Sequence, residues 1–432
     1  MQKKNILIVS DVFRDGGLET QICTYRDTLA ADRTFFYALG VYEGTIPLPE
    51  DKVFDGFAFT LDETLGDFVT NVRRLCEIIR ENKIDLIHCH PFYCFYSAVF
   101  AAQLTKTPIV YFFHGIGSFN FRKSVIESLL FSYAFESGAV GEVFLVNRTG
   151  DGTFSRLGCP KECFLPNPID VSRFPKATYI KNKTWALVSR LDAFKAEEIK
   201  ALLLNKDEFG IDKIDVVGDG AARAELEYFV AKEEIHGIQF LGYTSDVFAS
   251  VNGKYNGVIG IGRVVLEALV MGLPAFLIGY GRVSGFVDET LYRAICDYNF
   301  TSLNTEYTNH KLPSHATVSS LSKKARSVFS SARVCVRYTE EIDRLTHRTV
   351  AALTRLFTDL EALATDESWQ KILFCDSRGV YDLIKKHILP ATLSQETVNL
   401  FATADLSYTL HDALYARQES TADELLSKIS EQ

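Results

Sequence analysis

The 432-residue sequence lacks several features that would each place it in a class of protein. No apolar run is long enough to span a bilayer, and the first apolar stretch is interrupted at Asp11, too early for a signal peptide. There is no strongly basic segment, and the net charge of −9 argues against binding to nucleic acid. We therefore expect a soluble or peripheral protein without a nucleic-acid partner.

Disulfide and metal-binding patterns are also missing. The nine cysteines are odd in number and scattered, which suits a reducing compartment and hence the cytoplasm. Cys159 and Cys163 lie close together, but no second pair or nearby histidine completes a zinc site. No Asp-x-Asp triplet occurs, so nothing indicates a metal bound to a diphosphate. The sequence predicts no metal site.

What the sequence does contain is enough apolar material for more than one core. It is 47% hydrophobic and 23% charged, which is typical of globular proteins. Its length exceeds what one core normally supports, so we expect at least two domains. Strand and helix patterns alternate through two successive stretches, which predicts α/β domains over residues 1–171 and 172–338. A helical pattern predicts a separate extension over residues 339–432.

The first half opens like a nucleotide-binding α/β domain. A buried strand over residues 5–10 leads to the glycine pair Gly16 and Gly17 and then to a helix over residues 18–31. No GxGxxG motif follows, which argues against a nicotinamide cofactor. Later strands end at His90, His114 and Asn147. Because ligands of parallel sheets bind at the carboxyl ends of the strands, we expect Gly16 and these three residues at one edge.

The second half repeats this arrangement. Its first strand, residues 185–189, is followed by Arg190 and Lys195, and later strands are followed by the Gly218-Asp219-Gly220 turn and by Tyr243. Two cations beyond a strand end suit a diphosphate, although they also suit a solvated ion-pair surface. A cleft between the two domains is the expected ligand site.

A short helix near residues 262–274 combines the features of an anion site. Gly262 and Arg263 stand at its start, where unpaired N–H groups and the helix dipole favour negative charge. Gly272 and Pro274 predict its end. Glu267 is the one carboxylate in this apolar helix, and its two oxygens could accept hydrogen bonds from the diol of a ribose. The alternative is a solvent-facing carboxylate on a core helix.

Together these landmarks resemble the family 4 glycosyltransferases, which are retaining enzymes of the GT-B fold. The resemblance covers residues 1 to about 300, and it depends on the order and spacing of the motifs because each alone is weak. The motifs are, in chain order, GGLE at 16–19, DLIHCH at 85–90, HG at 114–115, LPNPID at 165–170 with Phe174, VSRLD at 188–192 with Lys195, VGDG at 217–220, FLG at 240–242, and LEA at 266–268 with Gly272 and Pro274.

The resemblance implies an architecture and a set of site residues. The fold would be two Rossmann-like, doubly wound domains facing a cleft, followed by the helical extension. Arg190 and Lys195 would hold the donor diphosphate, Glu267 the ribose, and His114 the donor sugar near the reacting carbon. The other donor-binding positions would be Gly16, Gly17, Asn167, Gly218, Gly220, Tyr243, Gly262 and Arg263.

The reaction implied is metal-independent transfer of a hexosyl group, with retention, from a nucleoside-diphosphate sugar. That donor is a substrate, so no cofactor is expected. The acceptor would be a glycan or a lipid-linked acceptor, and the resemblance extends to enzymes that build bacterial surface polysaccharides.

One departure from the family pattern keeps other functions open. Where the family usually has a glutamate eight positions before Glu267, this sequence has Ile259. A non-catalytic scaffold that acts through its helical tail, by binding a protein partner or by self-association, is therefore a second hypothesis. A third is a sugar-nucleotide epimerase, which needs acid and base carboxylates that the first half offers only at Asp11, Asp15 and Glu19.

A helix predicted over residues 122–135 suggests contact with a membrane. Its apolar residues exceed what one core stripe needs, and Arg122 and Lys123 lie at its start. Such a face could bind the inner surface of the cytoplasmic membrane and meet a lipid-linked acceptor. Alternatively, the helix is buried against the first sheet.

Overall fold

The computed structural model describes residues 3–60, 62–115, 125–178, 180, 182–244 and 246–388. The chain forms two compact units. The first combines Met1–Leu165 with Arg337–Gln432, and the second is Pro166–Val336. The boundaries lie a few residues before the expected ones at 171 and 338. The predicted helical extension differs more, because its described residues are part of the first unit.

The first unit contains a parallel sheet of seven strands among the described residues, in the order β3-β2-β1-β4-β5-β6-β7. The strands are apolar runs buried on both faces, as expected when helices cover both sides of a sheet. Their bounds are β1 Lys4–Phe13, β2 Arg33–Tyr42, β3 Val53–Phe54, β4 Leu86–Cys89, β5 Ile109–Phe113, β6 Glu142–Leu145 and β7 Glu162–Phe164.

Helices connect these strands. The longest described helix, α2, begins with a capping box in which Thr64 and Asp67 satisfy each other's backbone N–H groups. The sequence pattern predicts this helix over residues 70–81, so the capping box starts it five residues earlier. The helices are α1 Gly17–Leu29, α2 Leu65–Glu81, α3 Cys94–Thr105, α4 Val125–Glu136 and α5 Thr153–Arg156.

The second unit has a six-stranded sheet in its described part, ordered β10-β9-β8-β11-β12-β13, and only β13 is antiparallel to its neighbour. The strands are β8 Thr184–Val188, β9 Lys213–Val217, β10 Ile238–Gly242, β11 Gly257–Gly260, β12 Ala275–Gly279 and β13 Arg282–Phe286. The helices are α6 Ala196–Asn205, α7 Arg223–Lys232, α8 Val247–Val251, α9 Arg263–Met271, α10 Glu289–Ile295 and α11 His315–Val328.

Separate cores lie on the two faces of this second sheet. One is formed with α9, α10 and α11, and the other with α6. Two sheets of mostly parallel strands, each in its own α/β unit, confirm the predicted fold class.

The described part of the C-terminal region contains four further helices: α12 Ser331–Ile342, α13 Ala351–Leu363, α14 Glu367–Gln370 and α15 Arg378–His387. Helix α12 crosses the boundary between the units, which follows Val336. Apolar residues of α13 and α15, among them Leu353, Leu356 and Ile384, are part of the core of the first unit. The sequence pattern predicts one helix over residues 369–389, which is wrong because the chain leaves helical geometry between α14 and α15. A helix predicted over residues 397–415 lies outside the described residues.

Helix α4 is buried, which agrees with the second of the two interpretations of its sequence and not with a membrane-binding face. Ile126, Leu129, Phe131 and Phe135 are each at most 4% exposed. The helix packs against α3 and α15, so the C-terminal helices cover the apolar surface that the sequence leaves unexplained. Arg122 and Lys123 lie outside the described residues. No helix in the described ranges is both long and apolar enough to cross a lipid bilayer.

Candidate functional site

Three strand ends of the first unit are joined by side-chain hydrogen bonds. His90 and His114 directly follow β4 and β5, and Nδ1 of His90 lies 2.9 Å from Nε2 of His114. Asn147 lies just beyond β6, and its Nδ2 donates to the backbone carbonyl of His114 at 2.9 Å. The structure therefore brings together the strand-end residues that the sequence predicts at this edge.

The two histidines belong to a desolvated stack of rings. His88, on β4, stacks on Phe112 with ring centroids 3.8 Å apart and on His90 at 4.6 Å. Burial lowers the pKa of His88 and His90 well below 6.5, and the neighbouring histidines lower both further. His114 is partly exposed, but desolvation of its ring lowers its pKa to about 3. All three imidazoles are thus neutral near pH 7.

The glycine pair forms the turn between β1 and α1. A Cβ on Gly16 would lie 2.7 Å from Oε2 of Glu19, whereas a Cβ on Gly17 would meet nothing within 4 Å. A side chain at Gly16 would therefore displace the Glu19 carboxylate, and Gly17 leaves the backbone open to close approach by a ligand.

The carboxylates of this half are occupied by backbone groups. Asp11 accepts hydrogen bonds from the N–H groups of Tyr93 and Cys94, at 2.8 and 2.7 Å. Asp15 accepts from the N–H of Thr45, and Glu19 accepts from that of Arg14. Each carboxylate thus has a structural partner, and Asp11 links the end of β1 to the start of α3.

In the second unit, Arg190 and Lys195 follow β8. The Arg190 side chain is 52% exposed, and its Nε lies 2.9 Å from Oδ2 of Asp192. The Lys195 side chain is 18% exposed, and its Nζ is 3.5 Å from Oγ of Ser189 and 3.4 Å from the carbonyl oxygen of Arg190. Burial lowers the pKa of Lys195. An anion at this ammonium would favour its charged form.

The glycine turn after β9 packs directly on the loop that carries Arg190. Leu191 N–H donates to the carbonyl of Asp219, and Gly218 N–H donates to that of Gly242. A Cβ on Gly218, which has φ 150°, would overlap the carbonyl oxygen of Ser189. A Cβ on Gly220 would lie 2.5 Å from the carbonyl oxygen of Leu191. These glycines therefore let two strand-end loops approach each other.

We expect Gly218→Ala to destabilise the second unit by about 1–3 kcal/mol, because the added methyl group forces the two loops apart. The displaced loop carries Arg190, so nucleotide affinity should fall as well. Urea denaturation of the variant measures the first effect. Gly210→Ala is the matched control, since Gly210 also has positive φ, 67°, but nothing lies within 4 Å of its Cβ position. Equal destabilisation by both changes would contradict the close approach.

Helix α9 begins at Gly262, where φ is 61°, and ends at Gly272 in the left-handed conformation, as predicted. Arg263 is not an isolated cation. Its Nε pairs with Oε1 of Glu267 at 2.8 Å, and its Nη1 donates to the carbonyl of Pro168 at 3.0 Å. Both charged side chains are mostly buried. Burial raises the pKa of Glu267, and Arg263 partly offsets that rise.

This arrangement shows that Glu267 is neither isolated nor solvent-facing, because it shares its charge with Arg263. The expected contact of Arg263 with the donor stays a prediction. Asn167 lies in the second unit and not in the first, with its Nδ2 2.7 Å from Oδ1 of Asn299. No sequence motif indicated Asn299, which has a positive φ of 55°. The next residue, Phe300, accepts a hydrogen bond from the N–H of Gly262.

Ile259 lies inside β11, where it is fully buried in the core beside α6. An acid at this position would therefore be buried in apolar surroundings.

Tyr243 follows β10 and is 56% exposed. Because β9, β8 and β11 are parallel neighbours, the residues after them, including Arg190, Lys195 and the start of α9, share one edge of the sheet.

One group of residues in the described part of the chain has the composition of a metal site. Ligand atoms of Glu142, Cys163 and Glu341 lie within 4.8 Å of one another. Lys161 forms ion pairs with both carboxylates, so an ammonium already offsets part of their charge. The cluster lies at β6, β7 and α12, and none of the strand-end residues above belongs to it.

Known proteins resemble parts of this chain in sequence and in fold. Residues 15–173 match the sequence family described as Glycosyltransferase Family 4. None of the curated proteins matches the chain.

Several solved structures share its fold. HepE of Anabaena in complex with UDP and glucose is 16% identical, with a TM-score of 0.56 over 79% of this chain and 99% of that one. A glycosyltransferase of Rickettsia africae is 17% identical, with a TM-score of 0.53 over 80% and 100%. The pneumococcal O-GlcNAc transferase GtfA, in complex with UDP and GlcNAc, is 10% identical, with a TM-score of 0.55 over 79% and 99%. Residues 15–173 thus match the Glycosyltransferase Family 4 model, and the similarity to these solved structures shows that the chain has the GT-B fold.

Proposed function

We propose that the protein transfers a hexosyl group, with retention of configuration, from a nucleoside-diphosphate sugar to a glycan or lipid-linked acceptor. One observation carries this proposal. In the second unit, two cations and a buried carboxylate, Arg190, Lys195 and Glu267, follow the adjacent parallel strands β8 and β11. Such an edge suits a ligand with a diphosphate at one end and a diol at the other.

In this reaction, the residues at this edge of the sheet would stabilise the leaving group. When the bond between the sugar and the diphosphate breaks, negative charge develops on the leaving oxygen. Arg190, Lys195 and the N-terminal N–H groups of α9 would stabilise that charge. Orienting the donor and the acceptor hydroxyl supplies the rest of the rate enhancement, and the proposed scheme needs neither a protein nucleophile nor a metal ion.

In the first unit, His114 would contact the donor sugar near the reacting carbon. Its low pKa keeps the imidazole neutral near pH 7, so it would act as a hydrogen-bonding group and not as a cation. Asn147 holds the backbone of His114 in place.

UDP is the first nucleotide to test, because HepE and GtfA were each solved with UDP. We place the reaction in the cytoplasm, in bacterial polysaccharide synthesis. The nine cysteines are odd in number and scattered along the chain, which suits that compartment. The decisive assay incubates the protein with UDP-sugars and a set of glycan and lipid-linked acceptors. Mass spectrometry should detect a glycosylated acceptor, and NMR should show that its new bond keeps the anomeric configuration of the donor.

Ile259 favours a second candidate, a non-catalytic scaffold, because the family's usual acid is missing there. A scaffold that has lost donor chemistry would bind no nucleoside diphosphate. The epimerase hypothesis is weakened by the structure, since Asp11, Asp15 and Glu19 all accept hydrogen bonds from backbone N–H groups. An epimerase would convert the donor sugar without using an acceptor, so the same product analysis separates the two enzymes.

We expect Glu267→Gln to weaken binding of the nucleoside diphosphate and of the free nucleoside alike, by roughly tenfold, because the carboxylate would bind the ribose. Isothermal titration calorimetry measures both affinities. Asp212→Asn is the control, since it removes a carboxylate that directly precedes β9, at the opposite edge of the sheet, and pairs with the exposed Lys183. A loss confined to the phosphate-bearing ligand would refute the ribose assignment.

A further inference from the structure

The hydrogen bond between His90 and His114 has two mutually exclusive forms. Nδ1 of His90 and Nε2 of His114 are 2.9 Å apart, and each nitrogen could be the donor. Burial lowers the pKa of both rings, so each carries one proton near pH 7. The position of the proton on either ring therefore fixes its position on the other.

The second nitrogen of His90 distinguishes the two forms. Nε2 of His90 is buried and has no hydrogen-bond partner among the described residues, and the His90 side chain is fully buried. If His90 accepted at Nδ1, its proton would be on Nε2 and would form an orphaned buried N–H. Unpaired N–H groups are rarer in protein interiors than under-satisfied acceptors. The form in which Nδ1 carries the proton is therefore favoured.

We propose that His90 is a positioning residue whose Nδ1–H donates to Nε2 of His114, which fixes the ring of His114 and places the proton of that ring on Nδ1. Asn147 holds the backbone carbonyl of the same residue, so both the ring and the main chain of His114 are held. The contribution of this contact to catalysis rests on the proposed function, whereas the proton positions do not.

His88 distinguishes the effect of the ring stack from the effect of the hydrogen bond between His90 and His114. It stacks on His90 and Phe112, and its Nε2 is also buried without a partner in the described part of the chain. Its Nδ1 lies 3.4 Å from the hydroxyl oxygen of Tyr338, and it makes no hydrogen bond to His114. The same argument places the proton of His88 on Nδ1. Removing His88 should disturb the stack without releasing the ring of His114.

The proton positions can be measured without any activity. In the full chain labelled with ¹⁵N-histidine, NMR of the ring nitrogens should show His88, His90 and His114 protonated on Nδ1 across pH 6–8. His88→Phe, His90→Phe and His114→Phe assign the signals. A His114 ring protonated on Nε2, or a His90 ring protonated on Nε2, overturns the proposal whether or not any variant fails to fold.

The positioning role has a kinetic test. His90→Phe should lower kcat by about 10- to 100-fold while changing KM for the donor little, because a misplaced His114 affects the reacting geometry more than ground-state binding. His90→Asn, whose amide group ends near the position of Nδ1 and can donate, should restore most of the loss. His88→Phe should keep the kcat of the wild type.

The possible failures are distinguishable. A folded His90→Phe variant with wild-type kcat, or equal losses in His90→Phe and His88→Phe, refutes the positioning role and leaves the proposed function intact. An inactive wild-type protein refutes the proposed function. The NMR measurement of the ring nitrogens then still shows which nitrogen donates in the hydrogen bond between His90 and His114.

Discussion

Lys195→Ala and Arg190→Ala are each expected to lower nucleoside-diphosphate affinity or turnover by about 10- to 100-fold, with the fold retained. A charged hydrogen bond to phosphate contributes roughly 1.5–3 kcal/mol, which sets this range. Lys195 should show the larger loss, because its mostly buried ammonium lies against Ser189 and the carbonyl of Arg190, whereas Arg190 is half exposed. Calorimetric titration with UDP and steady-state kinetics measure the two quantities.

Lys183→Ala is the matched control for these variants. Lys183 precedes β8, so it lies at the amino end of the strand whose carboxyl end carries Arg190, and its exposed ammonium pairs with Asp212 at 3.1 Å. An exposed pair of this kind contributes little, so the control should bind as the wild type does. Wild-type affinity and kinetics in both Arg190→Ala and Lys195→Ala would remove these residues from the site.

The free energy of unfolding of the first unit should fall steeply as the pH drops below about 6.5. His88 and His90 have pKa values well below that ordinary value, because burial penalises the charged ring. Between the folded and unfolded pKa values, only the unfolded chain binds the protons, so their contribution to stability is present above pH 6.5 and is lost below it. Below pH 6.5, each histidine lowers the free energy of unfolding by about 1.4 kcal/mol per pH unit, and the two together lower it by about 2.7 kcal/mol per pH unit.

The measurement is urea denaturation at pH 7, 6 and 5 in the wild type and in His88→Phe. Buried carboxyls with raised pKa, Glu63 and Glu142, act in the opposite direction, so the informative quantity is the difference in slope between the two proteins. His88→Phe should reduce the slope by about 1.4 kcal/mol per pH unit at the acid end. His236→Gln, at an exposed position in the second unit, should leave it unchanged. Identical slopes in the wild type and His88→Phe would contradict a neutral, buried His88.

The regular parts of both units could be predicted from the sequence because their signals are local. Apolar runs flanked by polar loops predict the parallel strands, and Gly272 with Pro274 predicts the end of α9. The edge of the first sheet at which His90 and His114 lie, and the edge of the second sheet at which Arg190 lies, each follow from strand direction, since ligand-binding residues follow the carboxyl ends of parallel strands.

The features that the sequence did not predict depend on contacts between distant segments. The apolar surface of α4 is explained by helix α15, more than 200 residues later, and nothing near residues 125–136 indicates it. The pairing of Asn167 with Asn299 depends on a positive φ that the sequence does not predict. The ion pair between Arg263 and Glu267 was predictable, because residues four apart on a helix face each other.

Thermal unfolding in the presence of nucleoside diphosphates is the most direct test that the second unit binds a nucleotide. It needs neither the acceptor nor the sugar. We expect at least one nucleoside diphosphate, UDP first, to raise the unfolding temperature in a concentration-dependent way, with about 2.7 kcal/mol of stabilisation at one hundred times its Kd. Lys195→Ala and Glu267→Gln should reduce this response, and Lys183→Ala should keep it. A protein that no nucleoside diphosphate stabilises, or a wild-type response in all three variants, would contradict nucleotide binding at Lys195 and Glu267.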